Sequence, residues 1–300
     1  MKLELIDVNK SFSDKQVLHD INFTVESGRA MGFLGRNGAG KTTTIRCIMK
    51  VFNPDSGQIL MDGKKFQPKE YPIGYLPEER GLYQKEKILD QLLYLASIRG
   101  VPKARAKENI LYWLKRVELD SYLNKNLEVL SKGNQQKVQI IQCFIHDPEI
   151  IILDEPFSGL DPVNSQVLKD MVREKIKDGK LVVFSSHQMS YVEEFCDDIT
   201  LIDEGRIVLS GSLDQIQRDM SENKVRINAE NRDQLRADVA RFISGTIEED
   251  RQSLILSLED HSQKELLRTL LREGVEIESF APYKPSLTEI FIKKVGGQDA

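Results

Sequence analysis

The chain has 300 residues, of which 40% are hydrophobic and 30% are charged, and its formal net charge is −5. This composition is typical of a folded protein with room for a full core and a second, smaller domain, and it excludes the apolar-poor class of disordered chains. The negative net charge provides no general attraction to nucleic acid, so we expect no nucleic-acid partner.

The three cysteines are Cys47, Cys143 and Cys196, and they are widely separated among apolar residues. This spacing matches neither a disulfide framework nor a metal site, so we expect reduced core thiols in a cytoplasmic protein. The amino terminus lacks the apolar stretch of a secretory signal, and the longest apolar runs are too short to span a bilayer. We therefore expect that the chain does not cross a membrane and that any pore it serves is another protein.

The amino-terminal part predicts a small sheet followed by a strand, a loop and a helix. Residues 3–25 alternate in polarity around turn residues at 13–14, a pattern typical of antiparallel strands. Residues 30–34 predict a short buried strand, and a helix is expected at 41–51 after a glycine-rich turn. A phosphate-binding loop requires this order of elements.

The middle of the chain predicts a helical subdomain inside an α/β domain. Residues 88–119 have helical spacing, interrupted at 100–102, and indicate a helical subdomain over about 85–145. The elements that follow are expected to be a helix at 133–145, a strand at 150–153, a helix at 162–177 and a strand at 181–185. Strands that alternate with helices predict a mainly parallel, covered sheet.

The sequence pattern changes after residue 212 and predicts a small α+β domain over 222–300. We expect the first domain, 1–215, to end in a helix, with the boundary within 213–222. The expected elements of the second domain are strands at 225–228 and 254–258, a helix at 263–273 and a last strand at 275–280.

A phosphate-loop pattern of two glycines, a lysine and a hydroxyl residue follows the strand at 30–34. The residues expected to bind ATP there are Gly35, Arg36, Asn37, Gly38, Ala39, Gly40, Lys41, Thr42 and Thr43. Glycines allow the backbone to approach phosphates, while the positive end of the next helix attracts their charge. We expect Lys41 to reach the β- and γ-phosphates and Thr42 to hold Mg²⁺. The alternative, a glycine-rich turn with a solvated lysine, does not explain the flanking strand and helix.

Two acids end the buried strand at 150–153, which places their carboxylates at the ligand-binding edge of an α/β sheet. Asp154 suits a magnesium shell. Glu155 is placed to polarise an attacking water, which requires a carboxylate within hydrogen-bonding reach. Two acids could also form a solvated turn, but their pairing with the phosphate loop favours the catalytic interpretation.

Three further segments carry a family resemblance. Residues 130–137 read Leu-Ser-Lys-Gly-Asn-Gln-Gln-Lys and resemble the signature segment of ABC ATPases, in the family order before the acidic strand. Residues 158–161 resemble the D-loop of that family, and His187 resembles its switch histidine. The resemblance covers about residues 1–212 and implies a P-loop NTPase core of the ABC ATPase type with an antiparallel β subdomain and a helical subdomain.

The resemblance implies a head-to-tail dimer, either a homodimer or a heterodimer, in which ATP lies between one phosphate loop and the partner's signature segment. The signature residues are Ser131, Lys132, Gly133, Asn134 and Gln135. In this arrangement His187 holds the γ-phosphate and the attacking water, and Asp161 couples the two sites. Phe12 resembles the aromatic residue that stacks on adenine, and a core position is the alternative.

Two departures from the family pattern point to a subgroup. Lys132 and Asn134 replace the usual glycine and glutamine, and Lys132 either adds positive charge or is merely solvated. Glu78 replaces the usual Q-loop glutamine; it would ligate Mg²⁺ more strongly but repel phosphates. These segments resemble bacterial exporter ATPases that include sodium-extrusion and drug-export subunits and often carry a small carboxy-terminal domain.

The sequence therefore predicts the ATP-hydrolysing subunit of an exporter that works with an integral membrane permease from the inner face of the cell membrane. The implied permease contacts are residues 79–84 and 92–98, whose apolar members could equally be subdomain core. A soluble ABC ATPase of translation or DNA repair is the alternative, but the chain has one phosphate loop and no long coiled-coil insertion. The presence of Glu155, the candidate catalytic acid, argues against a regulator that binds the nucleotide without hydrolysing it. The remaining histidines, His19, His146 and His261, are expected to be structural.

Overall fold

The computed structural model describes residues 1–78, 81–158, 160–221, 223–241, 245–250, 253–258 and 262–295. Residues 79 and 80 of the expected permease surface, Gly159 of the D-loop-like segment and His261 lie outside these ranges. The chain forms two compact units, Met1–Ser212 and Leu213–Ala300. Among the described helices, none has the length and apolar character needed to cross a bilayer.

The first unit combines two sheets with six helices in its described part. Its elements are β1 (Lys2–Phe12), β2 (Lys15–Glu26), β3 (Ala30–Leu34), α1 (Lys41–Ile48), β4 (Ser56–Met61), β5 (Lys64–Lys65), β6 (Ile73–Leu76), α2 (Ile88–Ile98), α3 (Lys103–Arg116), α4 (Lys132–Phe144), β7 (Ile150–Asp154), α5 (Pro162–Lys177), β8 (Leu181–Ser186), α6 (Met189–Phe195), β9 (Asp198–Asp203) and β10 (Arg206–Ser212).

The amino-terminal sheet is antiparallel, with strand order β2-β1-β4-β5. Alternate side chains of β1, such as Leu3 and Leu5, enter the core and face apolar residues of β2 and β4. Ser13 has a φ of 50° in the turn between β1 and β2. The predicted antiparallel sheet and its turn are confirmed.

The central sheet has the order β10-β9-β3-β8-β7-β6, and its five strands from β9 to β6 run parallel. Every residue of β3, β7 and β8 is buried, as expected for strands covered on both faces. The predicted mainly parallel sheet is confirmed. Because parallel strands end at one edge, the segments after β3, β7 and β8 meet there.

Helix α1 ends three residues earlier than predicted. Lys50 adopts a left-handed φ of 52°, and the N–H groups of Lys50 and Val51 bond the carbonyl oxygens of Cys47 and Arg46. These bonds form a Schellman motif, which ends a helix through a left-handed residue that is usually glycine. Because the left-handed residue here is a lysine and not a glycine, the sequence does not mark this helix end.

The predicted helical subdomain contains α2, α3 and α4. Gly100 has a φ of 74° at the predicted interruption between α2 and α3. Ile110 and Leu114 of α3 are buried, and Trp113 packs against Phe144 of α4 with ring centroids 5.3 Å apart. The helical pattern at 88–119 therefore resolves into two helices, as expected.

The second unit is a small sheet with helices. Its elements are α7 (Leu213–Asp219), β11 (Lys224–Asn228), α8 (Arg232–Val239), β12 (Ile247–Asp250), β13 (Ser253–Ser257), α9 (Gln263–Arg272), β14 (Ser279–Pro282) and α10 (Leu287–Val295). The strands pair antiparallel in the order β12-β13-β11-β14. The predicted α+β character is confirmed.

The last predicted strand, 275–280, is wrong in position. β14 spans Ser279–Pro282 and pairs with β11. Val275 and Ile277 precede it and pack as half-buried side chains against the core of this unit, outside any described strand. Val275 and Ile277 alternate with exposed residues because one side of this irregular segment is buried. A strand shows the same alternation, so the sequence pattern alone does not distinguish the two.

Candidate functional site

The loop between β3 and α1 places backbone N–H groups and a helix start at one edge of the central sheet. Gly38 and Gly40 have φ values of 82° and 111°, which side chains disfavour. A Cβ atom on Gly35 would clash with the carbonyl oxygen of Ile202. The first-turn N–H groups of α1 have no acceptor inside the helix, so the loop can donate them to an anion.

Lys41 is buried within this loop. Its Nζ atom donates to the carbonyl oxygens of Gly35, at 2.8 Å, and Arg36, at 3.2 Å. The same ammonium lies 3.7 Å from Oε1 of Glu155. The positive charge is therefore held at the centre of the loop, where phosphate oxygens would bind.

Asp154 ends β7 and is almost completely buried, with 1% exposure. The hydroxyl of Thr42 donates to its Oδ2 atom at 3.0 Å, and the hydroxyl of Ser185 donates to its Oδ1 atom. Both carboxylate oxygens are thus oriented by hydroxyl groups from neighbouring elements. Thr42, Asp154 and the exposed Glu78 offer the hard oxygen ligands that Mg²⁺ prefers.

Glu155 has the unusual left-handed φ of 51°, which turns the chain away from the strand direction. Its N–H group donates to the carbonyl and hydroxyl oxygens of Ser185, at 3.2 and 3.1 Å. Its Oε1 atom is buried and lies 2.9 Å from Nδ1 of His187, yet it receives no hydrogen bond from any described group. A buried carboxylate oxygen with spare acceptor capacity suits the binding of a water molecule.

These groups share one cavity of about 310 Å³. Its lining residues are Arg36, Asn37, Gly38, Gly40, Lys41, Thr42, Thr43, Glu78, Asp154 and Glu155. The structure therefore brings together most of the expected phosphate loop, both acids and Glu78. Gly35 and Ala39 are buried in the loop and do not line the cavity, while His187 reaches it only through its contact with Glu155.

The signature-like segment begins α4 and does not line this cavity. Ser131 caps the helix, and its Oγ atom accepts a hydrogen bond from the N–H of Asn134 at 3.3 Å. Lys132 is exposed, whereas Gln135 is buried and donates to the carbonyl oxygen of Leu130 at 3.0 Å. The capped helix start is thus no part of the cavity lining of its own chain.

Asp161 caps α5, because its Oδ1 atom accepts a hydrogen bond from the N–H of Asn164 at 2.9 Å. The side-chain amide of Asn164 donates to the other carboxylate oxygen of Asp161. A Cβ atom on Gly133 would lie 2.7 Å from that amide nitrogen. Asn164 therefore connects the signature-like helix with the D-loop-like segment inside one chain.

Phe12 is exposed and lies outside the cavity lining. It is 44% exposed, packs edge-on against Phe52 with ring centroids 5.1 Å apart, and has the Nζ atom of Lys10 5.5 Å from its ring. The core alternative for Phe12 is therefore wrong. A stacking partner for an adenine ring requires such an accessible face.

Ser185, Asn164 and Gln136 are positioning groups that were not predicted from the sequence. Ser185 touches both acids because β7 and β8 pair Asp154 with it directly. Gln136 donates to the carbonyl oxygen of Pro156 at 3.2 Å, which connects α4 with the segment after the acids. The parallel pairing of the two predicted strands was the available signal for Ser185, while the other two contacts depend on helix packing.

Two other histidines, His19 and His146, do not line the cavity. His146 is half-buried, its Nε2 atom lies 3.0 Å from the carbonyl oxygen of Ile73, and burial lowers its pKa. The backbone N–H of His19 donates to the carbonyl oxygen of Gly205. All three cysteines are buried free thiols, and burial raises the pKa of Cys47 to about 11 and that of Cys143 to about 12.

Comparisons with known proteins give consistent matches. Residues 18–158 match the family model described as ABC transporter, and residues 211–295 match the model described as ATP-binding protein DrrA1-3-like, C-terminal domain. The chain is 40% identical to an uncharacterized ABC transporter ATP-binding protein of Bacillus subtilis, YhaQ, over 98% of each chain. It is 30% identical to the bacitracin transport ATP-binding protein BcrA of Bacillus licheniformis, over 98% of this chain and 97% of that protein.

A solved structure described as the ATP binding subunit of an ABC transporter superposes with a TM-score of 0.67 at 31% identity. The match covers 73% of this chain and 93% of the solved one.

Proposed function

The chain belongs to the family of ABC transporter ATP-binding proteins, and we propose from this premise that it hydrolyses ATP to drive export through a separate membrane subunit. The observation that carries the proposal is Oε1 of Glu155, a buried acceptor without a hydrogen-bond donor in the described part of the chain, at the phosphate loop and 2.9 Å from His187. A carboxylate in that position can orient and polarise a water molecule for attack on a phosphate.

ATP binding is assigned to the loop between β3 and α1. The N–H groups of the loop and the first turn of α1 donate to phosphate oxygens, and the ammonium of Lys41 neutralises their charge. Phe12 is proposed to stack on the adenine from its exposed ring face. Arg36, Asn37, Gly38, Ala39, Gly40 and Thr43 complete the loop around Lys41 and Thr42.

Magnesium is assigned to the oxygen atoms around Asp154. The hydroxyl of Thr42 and the carboxylate of Asp154 lie 3.0 Å apart, and Glu78 lines the same cavity. When bound, Mg²⁺ neutralises negative charge on the phosphates. Ser185 fixes the orientation of Asp154 through its other carboxylate oxygen.

Hydrolysis is assigned to Glu155 and His187. The two hydrogen bonds from the N–H of Glu155 to Ser185 hold the acid at the end of β7. Glu155 then orients the attacking water, and His187 places its ring beside the same carboxylate, where it can hold the γ-phosphate. The ammonium of Lys41 lies 3.7 Å from Oε1 of the same carboxylate.

A second ATPase subunit, identical or different, is proposed to complete the site. The residues proposed for the partner's ATP are Ser131, Lys132, Gly133, Asn134 and Gln135 at the start of α4. The positive end of a capped helix is suited to a γ-phosphate. Because Asn164 hydrogen-bonds Asp161 and lies beside Gly133, we expect the signature-like and D-loop-like segments to move together when the dimer closes.

The permease is proposed to contact the helical subdomain. Leu92 is buried and belongs to the subdomain core, whereas Tyr83, Tyr94 and Ile98 are all more than half exposed. The structure thus divides the expected surface into core and accessible residues. We place the chain at the inner face of the cell membrane on the strength of its transporter relatives, and export rests on the subgroup resemblance and on the bacitracin-transport relative.

Affinity purification of the tagged protein from native membranes in mild detergent tests this proposal, with mass spectrometry and ATP hydrolysis followed in parallel. A co-purifying multi-spanning membrane protein and phosphate release that is lost in Glu155→Gln are the expected results. Ribosomal or DNA-repair proteins in place of a membrane protein would overturn the transport role while leaving the ATPase role intact. Absence of ATP-dependent phosphate release from the purified assembly would overturn the catalytic role.

A further inference from the structure

The turn between α2 and α3 concentrates positive charge. Arg99, Lys103, Arg105 and Lys107, called the hairpin patch here, are four cations within nine residues that contain no acid. This density contrasts with the net charge of −5 for the whole chain. All four side chains are exposed.

None of the four cations forms an ion pair with an acidic side chain in the described part of the chain. Farther along the same helix, Arg116 does form one, with its Nη2 atom 2.7 Å from Oε2 of Glu174. Within the described residues, the fold therefore neutralises Arg116 in the carboxy-terminal half of α3 but leaves the exposed Lys115 without an ion pair. The charge at the amino-terminal end of α3 is left for solvent or for a partner.

Three of the four positions also oppose helix stability, whereas Arg99 ends α2, where a cation is favourable. Lys103, Arg105 and Lys107 occupy the first turns of α3, where the helix dipole is positive and acidic residues are favoured. The first turn contains no acidic residue. A sequence that breaks a local rule without a compensating contact points to a function at that place.

Exposed apolar side chains adjoin the patch. Tyr94 and Ile98 lie one turn apart on α2 and are 61% and 62% exposed, and Ile98 directly precedes Arg99. Aromatic and aliphatic side chains beside cations are typical of protein surfaces at a membrane interface. Tyr94 and Ile98 also belong to the surface proposed to contact the permease, so the hairpin patch would lie beside that contact and near the bilayer. Nucleic acid would be attracted by the charge alone.

We propose that the hairpin patch binds the anionic headgroups of a lipid bilayer. The biological meaning of this lipid binding rests on the proposed location of the chain at the membrane. The binding itself requires neither ATP hydrolysis nor the permease. The first-turn N–H groups of α3 add to the attraction, because they lie at the same end of the hairpin as the four cations. Binding is expected to weaken with salt, since exposed charges are screened.

The test is co-sedimentation of the full chain with phosphatidylcholine vesicles that contain or lack phosphatidylserine. The parent chain should bind the serine-containing vesicles and not the neutral ones. Each cation near an anionic surface contributes roughly fivefold in affinity, so R99Q/K103Q/R105Q/K107Q should weaken binding by more than about 100-fold. The variant R99K/R105K keeps all four charges and should bind as the parent does.

The matched control removes the same charge elsewhere. Lys15, Lys64, Lys65 and Lys69 are exposed lysines in the amino-terminal half of the first unit. The variant K15Q/K64Q/K65Q/K69Q should retain vesicle binding to within a few-fold, because these lysines lie outside the hairpin patch. Equal losses in the two fourfold variants would overturn the proposal, as would equal binding of the parent to both kinds of vesicle.

Two further measurements distinguish lipid binding from nucleic-acid binding and from the proposed ATP hydrolysis. Duplex DNA that displaces the parent chain from vesicles at an equal concentration of phosphate would show that the patch recognises phosphate polyanions in general and would overturn the lipid assignment. ATP hydrolysis is measured in the same preparations and should be unchanged in the patch variant. Loss of vesicle binding with intact hydrolysis supports the lipid contact, while absent hydrolysis in the parent with intact vesicle binding would break only the proposed catalytic function.

Discussion

The two units of the chain differ in the kinds of side chain that they bury. All charged side chains that are buried in the described part of the chain belong to the first unit, and Lys41, Asp154 and Glu155 gather at one cavity. The core of the second unit is a cluster of aliphatic side chains. Burying charge is unfavourable unless it is paired or used, so the charges gathered at the cavity indicate a functional site in the first unit.

Several polar contacts in the second unit lie at helix starts. Ser262 and Glu265 form a capping box at α9, and the hydroxyl of Ser286 accepts a hydrogen bond from the N–H of Glu289 at 3.2 Å. These contacts satisfy backbone groups and stabilise local structure. The comparison predicts that changes at the cavity reduce activity and leave the fold intact, whereas changes in the second core reduce stability and leave nucleotide binding intact.

The largest effect is expected for Glu155→Gln. The neutral amide polarises water poorly, so ATP turnover should fall by about 10²–10⁴-fold while ATP affinity is retained. Steady-state phosphate release and equilibrium binding of a fluorescent ATP analogue measure the two quantities. Glu149→Gln, at an exposed position before the same strand, is the control and should leave turnover unchanged. Turnover near the parent rate in Glu155→Gln would remove this residue from its proposed role.

Leu256→Ala tests the other side of the comparison. Leu256 is fully buried in the second core, so its truncation should lower the free energy of unfolding of that unit by about 2–5 kcal/mol. The single tryptophan, Trp113, lies in the first unit and reports its unfolding separately.

Urea unfolding of Leu256→Ala should show an early transition in circular dichroism that Trp113 fluorescence does not follow. The control Leu271→Ala removes a mostly exposed side chain of the same unit and should have little effect. A single shifted transition seen equally by both probes, with weakened ATP binding, would show that the two units do not divide stability and function.

Lys41→Ala should weaken the binding of ATP itself. Hydrogen bonds to charged groups contribute about 1.5–3 kcal/mol, which corresponds to roughly 10- to 100-fold in affinity. Equilibrium dialysis with labelled ATP measures the loss, and Lys64→Ala, at an exposed strand position, is the control. Unchanged affinity in Lys41→Ala would mean that its ammonium stays on the loop carbonyl oxygens when ATP binds.

Ser185→Ala tests the positioning of the two acids. Without the hydroxyl, Asp154 loses one donor and the N–H of Glu155 loses one of two acceptors, so turnover should fall by about fivefold, equivalent to about 1 kcal/mol. Ser186→Ala, whose hydroxyl accepts from the N–H of Gln188, is the neighbouring control. Equal effects in both variants would indicate a general loss of packing at the end of β8.

The sequence predicted elements best where a local signal marks their ends. α5 begins at Pro162 after the cap Asp161, and its observed bounds agree with the prediction because both residues are favoured at helix starts. The helices α6, α8 and α10 were not predicted. α8 spans only eight residues and has a mean composition too polar to show a clear apolar period.

The candidate site was predictable as a set of residues but not as a geometry. The phosphate-loop pattern and the two acids after a strand identify Lys41, Asp154 and Glu155 from the sequence. The position of Ser185 against both acids depends on the register of two parallel strands, and the contact of Asn164 with Gly133 depends on how two helices pack. Such contacts come from tertiary structure, which local patterns do not specify.

Glu78→Gln should have the smallest effect and two opposing components. Glu78 is exposed, so solvent screens its charge and its contribution to metal binding is expected to be modest. Loss of the anionic oxygen should shift the midpoint of the Mg²⁺ titration of ATP turnover a few-fold upwards, by about 1 kcal/mol or less. Without Mg²⁺, loss of the same charge should tighten ATP binding slightly, because like charges repel.

The two components have different signs, so together they distinguish a metal ligand from a charge that merely lies near the phosphates. Glu86→Gln, an exposed glutamate in the loop before α2, is the control and should change neither quantity. If Glu78→Gln binds ATP more tightly without Mg²⁺ but has an unchanged Mg²⁺ midpoint, then Thr42 and Asp154 are the ligands of the ion and Glu78 is not. An unchanged result in both measurements would place Glu78 outside the nucleotide site and make the buried acids alone responsible for its chemistry.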